Sequence, residues 1–349
     1  MDQDGEGGGD HQRYLIVVMA GGMMQRITAL AYGCKVGFLV SALLAAPAWS
    51  AYPERPVRMI VPQAVGASTD NVARIVATEL ARELGQQVVV DNRPGGALQL
   101  GMELTARATR DGYTIGYAPI GSLAIGPNLV SKPPIDALRE LAPVGQTITG
   151  HMMVLASPKS PFRTMREVID YAKQNPGKLF NASSSNGSPG HIGFELLKTM
   201  TGTQIVHVPY KGGPAAIADL MSGQVQLMME GLNSASGHVK AGRVRGLAVT
   251  GAKRSPVFPE VPTLIESGVA GYEATTWHGV VVPAGTPKAI VTVLNTKLNL
   301  AVNSPVATER ITALGSEPLT GTPEAFWELV RVEHAKWAEV IRRAGAKID

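Results

Sequence analysis

The sequence predicts an α/β protein with mainly parallel sheets, and three observations carry that expectation. From Tyr52 onward, short apolar runs alternate with amphipathic helical patterns. Loops rich in Gly, Ser, Asn and Pro join them. The alternation starts afresh near Met152, and 349 residues suffice for two ordinary domains with a sizeable core.

The elements follow in order. Val57 to Val61 reads as a strand. Ala73, Val76, Ala77, Leu80 and Leu84 then recur on one helical face, which Gly85 ends. Val88 to Val90 is the next strand, and Asn92-Arg93-Pro94-Gly95-Gly96 makes a turn into a helix around Leu98 to Ala108. Thr114 to Tyr117 and Met152 to Ala156 are strands. Thr164 and Glu167 form a capping box, in which each side chain satisfies a free backbone donor at the helix start. Further strands are expected at Leu179 to Ala182, Ile205 to Val208, Val225 to Met229 and Val244 to Val249. Thr286-Pro287 and Thr322-Pro323 each place a capping threonine before a first-turn proline. Phe326, Val330, Trp337, Val340, Ile341 and Ala344 line one face of the last helix.

Composition narrows the function. With 45% hydrophobic and 17% charged residues the chain reads as globular. Its net charge of +4 is dispersed, with no basic block beside aromatics, which argues against nucleic acid as a partner. The one cysteine, Cys34, precedes the predicted fold, so the body has no thiol for a disulfide, metal site or nucleophile. Residues 1–51 read as an N-terminal extension and secretory signal. Arg26 and Lys35 precede the apolar run Val36 to Ala46, and small residues follow at Ala46, Ala48, Ser50 and Ala51. Cleavage near 48–51 and a periplasmic location are the expectation.

Five strand-to-helix junctions share one chemistry: Pro62 to Asp70, Ala118 to Ser122, Ser183 to His191, Pro209 to Pro214, and Glu230 to Ser234. In open α/β sheets ligands sit at such junctions. Free amides at helix starts, together with hydroxyls, hold an anion without a buried cation, and glycine lets the backbone come close. The candidates are Gly66, Ser68, Thr69 and Asp70 in the first loop, Gly121 and Ser122 in the second, and Ser184, Ser185, Asn186, Gly187, Ser188 and His191 in the third. Tyr210, Lys211 and Glu230 complete the set. Such loops also make ordinary turns and caps. Thr69 is a donor or a helix cap, and Asp70, which would repel an anion, suits the helix start. Glu230 accepts from an ammonium group or bonds across the cleft.

Eight motifs in order resemble the Bug-type receptors, the extracytoplasmic solute-binding components of tripartite tricarboxylate transporters. They include Tyr52-Pro53-Glu54-Arg55-Pro56-Val57-Arg58, Asn92-Arg93-Pro94-Gly95 and Asp111-Gly112-Tyr113-Thr114. Val206 to Gly212, Gly223 to Gln226, Leu247 to Thr250, Pro259 to Thr263 and Pro283 to Pro287 continue the series. The resemblance implies a two-lobed periplasmic-binding-protein (Venus-flytrap, type II) fold with the ligand between the lobes. Lobe 1 is then 52–151 plus 276–349, and lobe 2 is 152–275. It also implies a carboxylate held by amides, hydroxyls and water. The chain departs from the family at Gln63 to Asp70, where glycines are fewer, at Ser188-Pro189-Gly190-His191, and at Glu230, where Asp is common.

The expected function is capture of a small carboxylate (a di- or tricarboxylate, aromatic acid or amino acid) by a monomer that delivers it to membrane permease subunits. A receptor presenting its closed form to a sensor kinase has the same soluble chain and stays open as an alternative. No catalytic residue, cofactor or metal site is expected. Gly187-Ser188-Pro189-Gly190 lacks the glycine a nucleophile elbow needs, since Asn186 stands there, and no phosphate loop or dinucleotide fingerprint occurs. His191 and Glu195 lack the further ligands a metal requires. A secreted hydrolase on the same fold is the remote alternative.

Overall fold

The computed structural model describes residues 52–210 and 212–346. The secretory reading, Cys34 and Lys211 therefore lie outside the described residues. The chain runs β1 (Val57–Val61), α1 (Ser68–Leu84), β2 (Val88–Asn92), α2 (Gln99–Ala106) and β3 (Thr114–Pro119). Short helical turns at Gly121–Ile125, Gly126–Leu129 and Ala137–Glu140 lead into β4 (Leu141–Ala156). Then come α3 (Met165–Gln174), β5 (Phe180–Ser183), α4 (Pro189–Thr201), β6 (Val206–Pro209), α5 (Gly213–Ser222), β7 (Leu227–Gly231), α6 (Leu232–Lys240) and β8 (Arg245–Val249). Finally β9 (Thr275–Pro283), α7 (Lys288–Val302), α8 (Pro305–Ala313), β10 (Ser316–Pro318) and α9 (Pro323–Ala344) close the fold.

Local chemistry explains most boundaries. In α1, Val72, Ala73, Val76, Ala77 and Leu80 are buried, and Gly85 ends the helix at φ +67°. The Thr164/Glu167 capping box is formed on α3, and Thr322 accepts from the Ala325 N–H at 3.1 Å at the start of α9. One cap is corrected. Thr286 does not cap α7: its hydroxyl donates to the Pro283 carbonyl at 2.8 Å, and Pro287 itself occupies the capping position.

The strands lie in the order β2-β1-β3-β9-β4-β7-β5-β6, with β8 and β10 also pairing with β4. The parallel strands expected from the sequence are present as β2-β1-β3 and β6-β5-β7. Between them β4 and β9 run antiparallel to each other and to their other neighbours. β4 changes partners along its length. Leu141 to His151 pairs with β9, whereas Met152 to Ala156 pairs with β7 and β8. Only the second part of β4 is evident in the sequence, because Pro143, Gly145 and Gly150 interrupt the first, and the register shifts beside Pro143 and Gln146. β9 has no period to detect, since Trp277 to Pro283 is buried throughout.

Gly279 shows how closely α9 approaches β9. A Cβ there would lie 2.2 Å from the tip of the buried Phe326 ring, which itself packs edge-on against Trp277 with ring centroids 5.7 Å apart. Gly279→Ala is expected to destabilise the protein by about 1–3 kcal/mol through overpacking. Gly237→Ala, in the open surface of α6 with nothing within 4 Å, is expected to stabilise it by about 0.5–1 kcal/mol. Urea unfolding of the two variants checks this, and coincident midpoints would contradict it.

Candidate functional site

A cavity of about 180 Å³ opens where the loops after β1, β3, β5 and β7 meet the crossing strands β4 and β9. It shares Gln63, Ser68, Ala97, Leu98, Ser184, Ser185 and Glu230 with a wider cleft of about 980 Å³. Of the candidates, Ser68, Thr69, Gly121, Ser184, Ser185, Asn186, Gly187, Ser188 and Glu230 line the cavity. Gly66 lines the cleft. Among the described residues, neither lining contains a lysine or arginine.

Four candidates are not brought to the cavity wall. Asp70 is 1% exposed and accepts from Gly66 N–H at 2.8 Å, Asn92 at 2.8 Å and Arg74 at 2.9 Å. Burial alone would raise its pKa, but these bonds outweigh it and hold the carboxyl below its ordinary value. It anchors the first loop. Ser122 is fully buried and donates to the Pro119 carbonyl at 2.8 Å. Tyr210 donates to Asp219 at 2.7 Å.

His191, the fourth, lies beneath the third loop. Its Nδ1 accepts from the Gly187 N–H at 2.9 Å, and its ring stacks on His207 with centroids 3.6 Å apart. The Ser183 hydroxyl donates to the Ser185 carbonyl at 2.9 Å and accepts from His207 Nε2 at 2.7 Å. Burial, followed by neighbouring positive charge, depresses His191 to about 3 and His207 to about 4, so both rings are neutral near pH 7. The pair fixes the shape of the loop that Ser188 then caps, accepting from the His191 N–H at 3.3 Å.

Close packing brings α4 to the cavity. A Cβ on Gly190 would lie 2.0 Å from the Met229 carbonyl oxygen, so only glycine lets the start of α4 approach β7 this closely. The α1 start is arranged differently. Thr69 does not cap the helix, and its own N–H donates to the Gln63 carboxamide oxygen at 3.2 Å. Thr69, Ser184 and Ser185 line the cavity, and no described residue bonds to their hydroxyls.

Several lining residues were not among the candidates. Ala97 and Leu98 have φ of +52° and +71°, a left-handed conformation that costs about 1–2 kcal/mol for a residue with a side chain. Met152, Thr276 and His278 come from the crossing strands, and Asn233 from the start of α6. His278 is 6% exposed and packs edge-on against Tyr117, and its Nδ1 is buried without a partner among the described residues. Burial pushes it down to about 3. Glu230 accepts from the Gly231 N–H at 3.0 Å, and enclosure by the cleft raises its carboxyl to about 7.

Residues 72–346 match the family model described as "Tripartite tricarboxylate transporter family receptor". The chain belongs to this receptor family. Its relatives include BugT of Bordetella pertussis, 36% identical over 313 residues, covering 89% of this chain and 96% of that one. Among solved structures, Rpa4515 of R. palustris with adipate is 36% identical with a TM-score of 0.79, covering 85% of this chain and 100% of that one. MatC (Rpa3494) of Rhodopseudomonas palustris with bound malate is 29% identical with a TM-score of 0.75, covering 83% and 100%. The tripartite transporter receptors are solute-binding proteins with a two-lobed α/β fold, and this chain shares both role and fold.

The buried imidazole of this receptor makes stability depend on pH. His278 has a folded pKa far below its ordinary 6.5. The stability tied to its neutral ring is therefore complete above pH 6.5 and lost as pH falls toward 3. The loss reaches about 1.4 kcal/mol per pH unit. Glu230, raised from 4.5 to about 7, acts in the opposite sense, so the comparison must be with His278→Gln. Between pH 7 and pH 5 the wild type is expected to lose about 2 kcal/mol relative to that variant in urea unfolding. Parallel pH profiles for the two proteins would contradict a neutral buried His278.

Proposed function

We propose that the chain is an extracytoplasmic solute-binding protein that captures a small carboxylate-bearing metabolite for a tripartite tricarboxylate-type permease, without catalysis. One observation carries the reading: helix starts and hydroxyls line the cavity, and no lysine or arginine does so among the described residues. Amide N–H groups at helix starts bind anions without a buried cation. The cavity of about 180 Å³ has room for a short acid. The adipate of the Rpa4515 structure and the malate of the MatC structure are short acids of this kind.

On this reading the ligand sits between lobe 1, residues 52–151 and 276–349, and lobe 2, residues 152–275. The change of β4 partners between His151 and Met152, and the start of β9 at Thr275, support those boundaries. A periplasmic location follows the basic, apolar and small-residue layout of 24–51. Ser184, Ser185 and Thr69 donate hydroxyls to the carboxylate, and the backbone donors are the Ser184, Ser185 and Gly190 amides, since the Gly187 and Ser188 N–H groups are spent on His191 and on the Ser185 carbonyl.

A thermal-shift screen over organic acids identifies a ligand, since binding stabilises only the folded state. Calorimetry then tests the site. Backbone donors survive side-chain changes, so Ser185→Ala or Thr69→Ala removes one bond to a charged group, worth about 1.5–3 kcal/mol. The dissociation constant should rise about ten- to a hundredfold. Gly187, at φ +76°, tolerates no side chain without strain, and Gly187→Val should weaken binding further. Abolition of binding by Lys211→Ala alone, with both alanine variants binding normally, would make an ion pair the anchor instead.

A further inference from the structure

We propose that Glu230 is the specificity-determining residue of the cleft, and that the acid is captured together with one proton shared between the Glu230 carboxyl and a ligand carboxylate. This deepens the reading of the cavity as a carboxylate site, on which it rests, by assigning the protonation state of the captured species.

Glu230 stands at the end of β7 and lines both the cavity and the wider cleft. The Gly231 N–H donates to its Oε1 at 3.0 Å, and no described residue bonds to Oε2. That second oxygen lies at the start of α5, since a Cβ on Gly213 would approach it to 3.7 Å. The groups around it offer no described counter-charge. β9 contributes His278, held neutral by burial. From α6 comes His238, whose pKa is lowered by burial and then by Arg243. α4 carries His191, turned onto Gly187 and His207, and Glu195, already paired with Lys198 at 2.7 Å. In α5, Asp219 accepts from Tyr210. The α1 loop places Gln63, Ser68 and Thr69 in the wall and keeps Asp70 on Arg74 and Asn92. β4 presents Met152.

A carboxylate ligand brought into this space meets a second carboxylate with no described cation between them. Like charges in a partly enclosed site are costly, and a shared proton removes the repulsion. An ammonium group on the ligand would also neutralise Glu230. However, the starts of α1, α4, α5 and α6 all border the cavity or cleft, and their positive dipole ends oppose a bound cation. The proton is therefore the favoured neutraliser. Enclosure already holds Glu230 near 7, so the proton is taken up at little cost around neutral pH. In the binding step the ligand dianion, ionised Glu230 and one solvent proton form a neutral carboxyl that donates to the bound carboxylate. No covalent bond to carbon is made or broken.

The test is calorimetric titration of the wild type with the tightest binder among succinate, malate, glutarate and adipate. It is run in two buffers of different ionisation enthalpy from pH 6 to pH 9. The expected result is uptake of close to one proton per ligand at pH 8 and almost none at pH 6. The dissociation constant should rise about tenfold per pH unit above pH 7. Glu230→Gln, shown folded by its melting curve, should bind without proton uptake and with no pH dependence above 7. Tight dicarboxylate binding by the wild type with no uptake and a flat profile would overturn the proposal while leaving the carboxylate site intact. Preference for glutamate over glutarate, lost in Glu230→Gln, would also overturn it and make Glu230 an ammonium acceptor. Binding of no carboxylate at any pH would remove the site reading itself.

Discussion

The antiparallel pairing of β4 with β9 is the constraint on which the rest of the structure depends. One long strand, Leu141–Ala156, pairs with β9 along its first part and with β7 and β8 along its second. The two parallel groups, β2-β1-β3 and β6-β5-β7, are thereby held on either side of the crossing strands. The loops that leave β1, β3, β5 and β7 then open onto one cavity, with Met152, Thr276 and His278 of the crossing strands in its wall. Loop chemistry alone creates no site; the shared strands bring the loops together.

What the cavity lacks among its described residues matters as much as what lines it. The charged side chains near the loops are spent on holding the backbone: Asp70 ties Gly66 to Arg74 and Asn92, and Glu195 pairs with Lys198. Imidazoles act as neutral struts, as in the His191–His207 stack beneath Gly187 and Ser185. Hydroxyls, amides and one enclosed carboxyl are left in the cavity wall. Such a surface favours an anion by oriented dipoles rather than by ion pairing.

Much of this was legible in the sequence wherever local physics decided it. The α1 face carrying Ala73, Val76, Ala77 and Leu80, the Thr164 capping box and the Ser183 to His191 loop were set by short-range patterns, and the structure has all three. Long-range packing hid the rest. β9 is buried from Trp277 to Pro283 and shows no period there, and the first part of β4 is broken by glycines that make room for neighbours such as Thr276 and Asn295. His278 therefore went unnoticed, although it faces the cavity. Thr286 carried the right residue for a cap, yet its hydroxyl turned back to Pro283. Asp70 and His191 were in the right loops but support the site from behind, a distinction that spacing does not encode.

The most direct measurement is a crystal structure of the protein with an identified acid bound. The account predicts carboxylate oxygens within about 2.7–3.2 Å of the Ser184, Ser185 or Gly190 backbone N–H groups and of the Ser185 or Thr69 hydroxyl, with Glu230 facing the ligand. A carboxylate paired instead with a lysine or arginine side chain, Lys211 included, and out of reach of those amides would contradict it.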